Sequence, residues 1–181
     1  MIKSYVKKIS DFNNQEVDLS SINITRKVYL ENLSLNKQKI SYYAWLFLKE
    51  KVLEEFNLDI DTLKLTYDQH GKPMFKEFFF NISHSNNYIA IALSNNPVGI
   101  DIQLIKEKGI EKLAKKANID PNNIEEFYKH FSALEAKRKK EGIGIYPSDL
   151  KVKVSVTNQS YIYDKDDTYI LSIDGDKQKL D

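Results

Sequence analysis

The sequence predicts an α+β domain, on three observations. Residues 34–56 and 121–141 have helical period, each stretch is followed by short strand-like runs, and the turns between runs are tight enough for antiparallel hairpins. With 181 residues, 41% of them hydrophobic and including 11 Tyr and 9 Phe, the chain can bury one substantial core or two small ones that share surface.

Taken in order, residues 2–8 read as a first strand and SSINITRKVYL as a polar segment leading inward. From Ser34 to Phe56, Ile40, Ala44, Phe47, Leu48 and Leu53 form an apolar stripe widened by Tyr43 and Val52. Leu63 to Tyr67 is a short strand, and Gly71-Lys72-Pro73 is a turn. Strands follow near 78–83, 88–94 and 98–105. The SNNP turn at 94–97 divides the chain into halves, 1–96 and 97–181.

Lys106 to Ala117 is a short charged helix. Asp120 caps and Pro121 opens a longer one, with Ile124, Phe127, Phe131 and Leu134 at helical spacing. It reaches Glu141, where Gly142 and Gly144 stop it. The tail holds three strand-like runs, KVKVSV, SYIYD and TYILSI, with DKDD and DGDK as turns.

Composition narrows the function. Net charge is +1, so no global field draws the chain to nucleic acid or membrane. The absence of cysteine excludes disulfides, thiol catalysis and cysteine-ligated zinc, and three scattered histidines give no His-rich metal site. No signal-peptide core or membrane-length apolar run is present, which leads to an expected cytoplasmic protein. His70 and His130 read as surface residues.

Chemistry is expected first at Asp101. In VGIDIQLI, Val98, Ile100, Ile102 and Leu104 share one face while Asp101 and Gln103 share the other. A carboxylate in so apolar a strand is costly to bury unless paired, hydrogen-bonded or on a metal. Glu135 follows Phe131 by one helical turn and precedes Lys139 by another, a spacing that ordinarily gives a surface ion pair. The run Lys137-Arg138-Lys139-Lys140 is a solvated face or a weak nucleic-acid patch. No exposed aromatics are interleaved with it, so no nucleic-acid partner is expected.

Four motifs occur in order: GKP at 71–73, FNISHS at 80–85, VGIDI at 98–102, and F-x-x-x-E-A-x-x-K-x-x-G-x-G from Phe131. The set resembles the Sfp-type 4′-phosphopantetheinyl transferases, whose pattern is GKP, FNxSHS, GxDxE and W-x-x-K-E-A-x-x-K-x-x-G. The resemblance covers residues 71–104 and 127–145 well.

It implies a pseudo-duplicated α+β fold of two helix-plus-antiparallel-sheet halves, with the active site between them. It also implies a monomer that transfers the phosphopantetheine arm of coenzyme A to a serine of an acyl or peptidyl carrier protein. The reaction needs magnesium and releases 3′,5′-ADP. Carried over by motif, Asp101 and Glu135 are metal carboxylates, Glu135 is also the base, and Lys139 faces the phosphate under attack. Lys72, Ser83 and His84 hold the nucleotide end, and Lys49 shares that task by spacing. Three positions depart from the pattern. Gln103 replaces a third metal carboxylate, Phe131 the Trp, and Leu134 a Lys beside the helix acid. These departures imply an alternative, a homologue that binds coenzyme A or a carrier protein without transfer.

Overall fold

A computed structural model describes residues 1–12 and 15–176. Among these residues, eight strands and four α-helices follow one another: β1 (Ile2–Lys8), α1 (Ile24–Glu31), α2 (Leu35–Phe56), β2 (Thr66–Tyr67), β3 (Pro73–Met74), β4 (Phe79–Ser85), β5 (Tyr88–Ser94), β6 (Val98–Leu104), α3 (Glu111–Lys116), α4 (Ile124–Glu141), β7 (Asn158–Asp164) and β8 (Asp167–Gly175). The α+β class is as expected.

Two three-stranded antiparallel sheets form, in the orders β1-β5-β4 and β6-β8-β7, while β2 and β3 make a small separate ribbon. Each large sheet comes from a β-α-β-β run in which the last strand lies in the middle. The alternation of β5 explains the layering. Ile89, Ile91 and Leu93 face α2, packing with Trp45, Phe47 and Leu48. Tyr88, Ala90 and Ala92 face the second sheet, packing with Val98, Ile100, Ile102, Leu171 and Ile173. The opposite face of the second sheet receives α4.

The sheets also meet edge to edge, through side chains. Asn81 Oδ1, Ser83 Oγ and Ser85 Oγ of β4 accept from the backbone N–H groups of Ile100, Ile102 and Leu104, at 3.1, 3.2 and 2.9 Å. The pairs advance together, so β4 runs alongside β6 in the same direction. Backbone donors at the sheet edge are thereby satisfied without a backbone partner. The alternating polar residues of FNISHS are this seam.

Several local expectations change. KVKVSV forms no strand: Asp149–Lys151 is a 3-10 turn and residues 152–156 run without a strand partner. Alternation alone does not supply a partner edge. SSINITRKVYL contains α1, capped by Asn23, whose side chain accepts from the Thr25 N–H. The buried face of α1 is Arg26 and Leu30, so a charge interrupts the stripe that would announce it.

The short helix begins only at Glu111, because Gly109 before it is left-handed (φ +92). The cap of α4 is Asn123 rather than Asp120, which bonds the Asn122 N–H in the preceding turn instead. Of Leu63–Tyr67 only Thr66–Tyr67 is strand, and Leu53 is exposed. In DGDK, Asp174 and Gly175 belong to β8, and Lys177 lies outside the described residues. His130 is not a free surface residue, since its Nε2 bonds the Leu150 carbonyl at 2.8 Å.

Candidate active site

β6 and α4 bring the predicted acids together. Gly99 makes this possible: an added Cβ there would overlap the Ala136 carbonyl and stand 2.6 Å from the Lys140 nitrogen. With no side chain at Gly99, α4 lies directly on β6, and its Glu135 and Lys139 reach the Asp101 side of the strand.

Asp101 is fully buried (0% exposed) and well partnered. Its Oδ1 accepts from the Lys139 ammonium at 2.6 Å and from Ser83 Oγ at 3.0 Å. Its Oδ2 accepts from Gln103 Nε2 at 3.0 Å. The same Gln103 nitrogen stands 3.3 Å from Glu135 Oε2, which in turn lies 3.5 Å from the Lys139 nitrogen. Two carboxylates, one amide and one ammonium therefore share a single locus. Removing one partner from such a buried pair typically costs about 3–5 kcal/mol, because the remaining charge is stranded.

Glu135 is the electrostatically strained member. Burial first, and the neighbouring Asp101 carboxylate second, push its pKa up to about 7, against the opposing pull of Lys139. His84 sits at the exposed end of the seam strand. Loss of water around the ring, and then the Lys139 cation, hold it below the ordinary histidine range.

Lys72 lies apart from the carboxylates but touches the same helix. Its ammonium donates to the Lys139 backbone carbonyl at 2.6 Å, adding a second donor to an acceptor that also takes the Gly142 N–H at 3.3 Å, at the C-terminus of α4. Desolvation lowers its pKa. Gly142, left-handed at φ +73, ends the helix there. A cavity of about 190 Å³ opens at this junction, between Lys72, Pro73, Phe79, Lys140 and Gly142.

Not every carried-over residue joins the cluster. Lys49 pairs with Asp61 and, at 3.4 Å, with Asp59, and makes no ion pair with the acids above. Ser83 is buried (5% exposed) within the cluster itself. Leu134 is 1% exposed, so a lysine there could not supply a cation to the site without being buried. In the basic run, Arg138, Lys139 and Lys140 all pair with carboxylates, which leaves little of a free cationic face.

Sequence reasoning passed over Arg26. Its guanidinium stacks on Tyr29 and Trp45, at 4.7 and 5.0 Å from the ring centres, with no carboxylate partner among the described residues. The only advance signal was its rarity, one of two arginines in the chain.

No family model matches the sequence. Curated proteins do match. The chain is 22% identical over 156 residues to 4′-phosphopantetheinyl transferase gsp of Aneurinibacillus migulanus, covering 78% of this chain and 66% of that protein. It is 26% identical over 114 residues to 4′-phosphopantetheinyl transferase Sfp of Bacillus subtilis (strain 168), covering 55% and 50%. The chain thus spans about two thirds of the length of the first relative and half of the second. At modest identity, these matches support a relationship to the 4′-phosphopantetheinyl transferase superfamily, in agreement with the order of the motifs.

Proposed function

We propose that this protein transfers the 4′-phosphopantetheine arm of coenzyme A to a serine of an acyl or peptidyl carrier protein and releases 3′,5′-ADP. The observation that carries this reading is the convergence of Asp101, Gln103, Glu135 and Lys139, drawn from a strand and a distant helix onto one point.

The donor set suits magnesium. No cluster of three or more His, Cys, Asp or Glu occurs among the described residues, so the protein offers two carboxylates, Asp101 and Glu135. Gln103 adds an amide oxygen once its amide turns over. One or two carboxylates plus substrate phosphate and water is the usual magnesium arrangement. Bound there, the ion supplies charge neutralisation for the coenzyme's diphosphate.

The chain's own residues do the rest. Lys139 sets a cation at the phosphate under attack. Glu135, poised near 7, accepts the proton of the partner's serine. The serine oxygen bonds to the pantetheine-side phosphorus as the bond to 3′,5′-ADP breaks. The two β-α-β-β runs are the halves of a pseudo-duplicated fold, dividing near residue 96, with the coenzyme between them. Lys72 and His84 take its nucleotide end. Lys49 of α2, paired with Asp61 and Asp59, is a further cation for that end.

The test is direct. Incubated with apo carrier protein, coenzyme A and magnesium, the protein is expected to raise the carrier's mass by one phosphopantetheine arm. One observation favours a second reading: Gln103 donates to both carboxylates and brings no charge of its own. Coenzyme A binding by calorimetry without any mass gain would establish that reading, a binding homologue that does not transfer.

A further inference from the structure

We infer that Ser83 is a positioning residue for the metal-binding carboxylate rather than part of the nucleotide grip. The inference rests on the proposed transfer function and goes beyond it. A serine hydroxyl has one proton to donate and two lone pairs to accept with. In this structure all three are used. Ser83 Oγ donates to Asp101 Oδ1 at 3.0 Å, and accepts from the Ile102 N–H at 3.2 Å and from the Lys139 ammonium at 2.9 Å. Nothing remains for a ligand, and the residue is 5% exposed.

The alternation of FNISHS divides the strand's labour. Asn81, Ser83 and Ser85 turn toward β6 and form the seam, while His84 turns the other way, to solvent. Ser83 is the one seam residue that also bonds a functional side chain. It fixes Oδ1, so Oδ2 is the oxygen left facing Gln103 and Glu135, on the side where a metal is taken. Hydrogen bonds behind a ligating carboxylate set its orientation, and their loss typically lowers metal affinity ~10–100-fold.

The experiment compares wild type, Ser83→Ala, Ser83→Thr and His84→Ala, each checked for a folded circular-dichroism spectrum. Manganese, a paramagnetic stand-in for magnesium, is titrated alone and followed by electron paramagnetic resonance. Separately, 3′,5′-ADP is titrated without metal by calorimetry. Ser83→Ala is expected to weaken manganese binding ~10-fold, to leave 3′,5′-ADP affinity unchanged, and to lower kcat for transfer rather than raise KM for coenzyme A. Ser83→Thr, which keeps the hydroxyl, restores manganese affinity. His84→Ala gives the converse pattern, weaker 3′,5′-ADP and unchanged manganese.

Ser83→Ala that binds manganese as wild type does, or that loses 3′,5′-ADP affinity, overturns the assignment. A wild type that binds manganese yet transfers nothing refutes only the transfer function, and the Ser83 comparison still decides. A wild type that binds no manganese overturns both.

Discussion

Glu135→Gln gives the sharpest test of the electrostatics, and it needs no substrate. An unfolded glutamate loses its proton near 4.5, whereas in the fold burial and Asp101 hold the Glu135 proton to about 7. Between those values the native state binds a proton that the unfolded state has lost, so stability falls as pH rises. Below the window both states are protonated and the contribution vanishes. Above it both are ionised and the penalty is complete. At 1.36 kcal/mol per pH unit the full penalty is about 3 kcal/mol, and partial water access to Glu135 makes that a ceiling.

The assay is urea denaturation of metal-stripped protein from pH 4 to 9. Groups that do not interact with Glu135 cancel in the difference between wild type and variant, leaving Glu135 and its partners Asp101 and Lys139. The difference curve is expected to be flat at acid pH and to rise in the variant's favour through pH 5–7. It then levels off at neutral to alkaline pH. Added magnesium should restore wild-type stability at pH 8 and do little for the variant. Parallel curves for the two proteins would refute the claim that Glu135 is buried against Asp101.

Gly99→Ala is expected to cost about 3 kcal/mol, because its Cβ meets helix backbone rather than a yielding side chain. Urea midpoints check this, and manganese affinity should fall with stability as α4 is lifted from Asp101. Leu134→Lys, which returns the family's lysine, should destabilise by roughly 3 kcal/mol by burying an ammonium, with no gain in transfer rate. A faster enzyme of undiminished stability would show that this side chain reaches the phosphates after all. Lys72→Met keeps the aliphatic stem but removes one donor to the Lys139 carbonyl, and should cost about 1 kcal/mol. Faster amide exchange confined to the last turn of α4 would accompany it.

Much of this was legible in the sequence where period and burial agree. α2 keeps its expected bounds to within a residue, α4 ends at Glu141 as expected though it begins three residues late, and β5 and β6 carry their alternation into two different cores. Asp101 was legible for the same reason, as a carboxylate that its strand could bury only with partners. KVKVSV failed because a strand is defined by the edge it pairs with, which no local pattern records. α1 failed because an arginine occupies its inner face. Leu134 was legible in part: its spacing from Phe127 and Phe131 already put it in the apolar stripe, one step around the helix from Glu135. The motif resemblance puts a lysine at that position, while helical geometry puts a core residue there. The structure sides with the geometry.

The place of the site follows from the way the two sheets join. Their facing surfaces meet through apolar side chains, and a carboxylate there would have no partner. Where β4 runs beside β6, the fold lines the interior with polar groups. There they are required in any case, to satisfy the N–H groups of Ile100, Ile102 and Leu104. Ser83 serves both needs with one oxygen, closing the edge of one sheet and holding the acid of the other. Stability and chemistry are therefore coupled at this seam: a substitution that loosens the junction of the two sheets also turns Asp101.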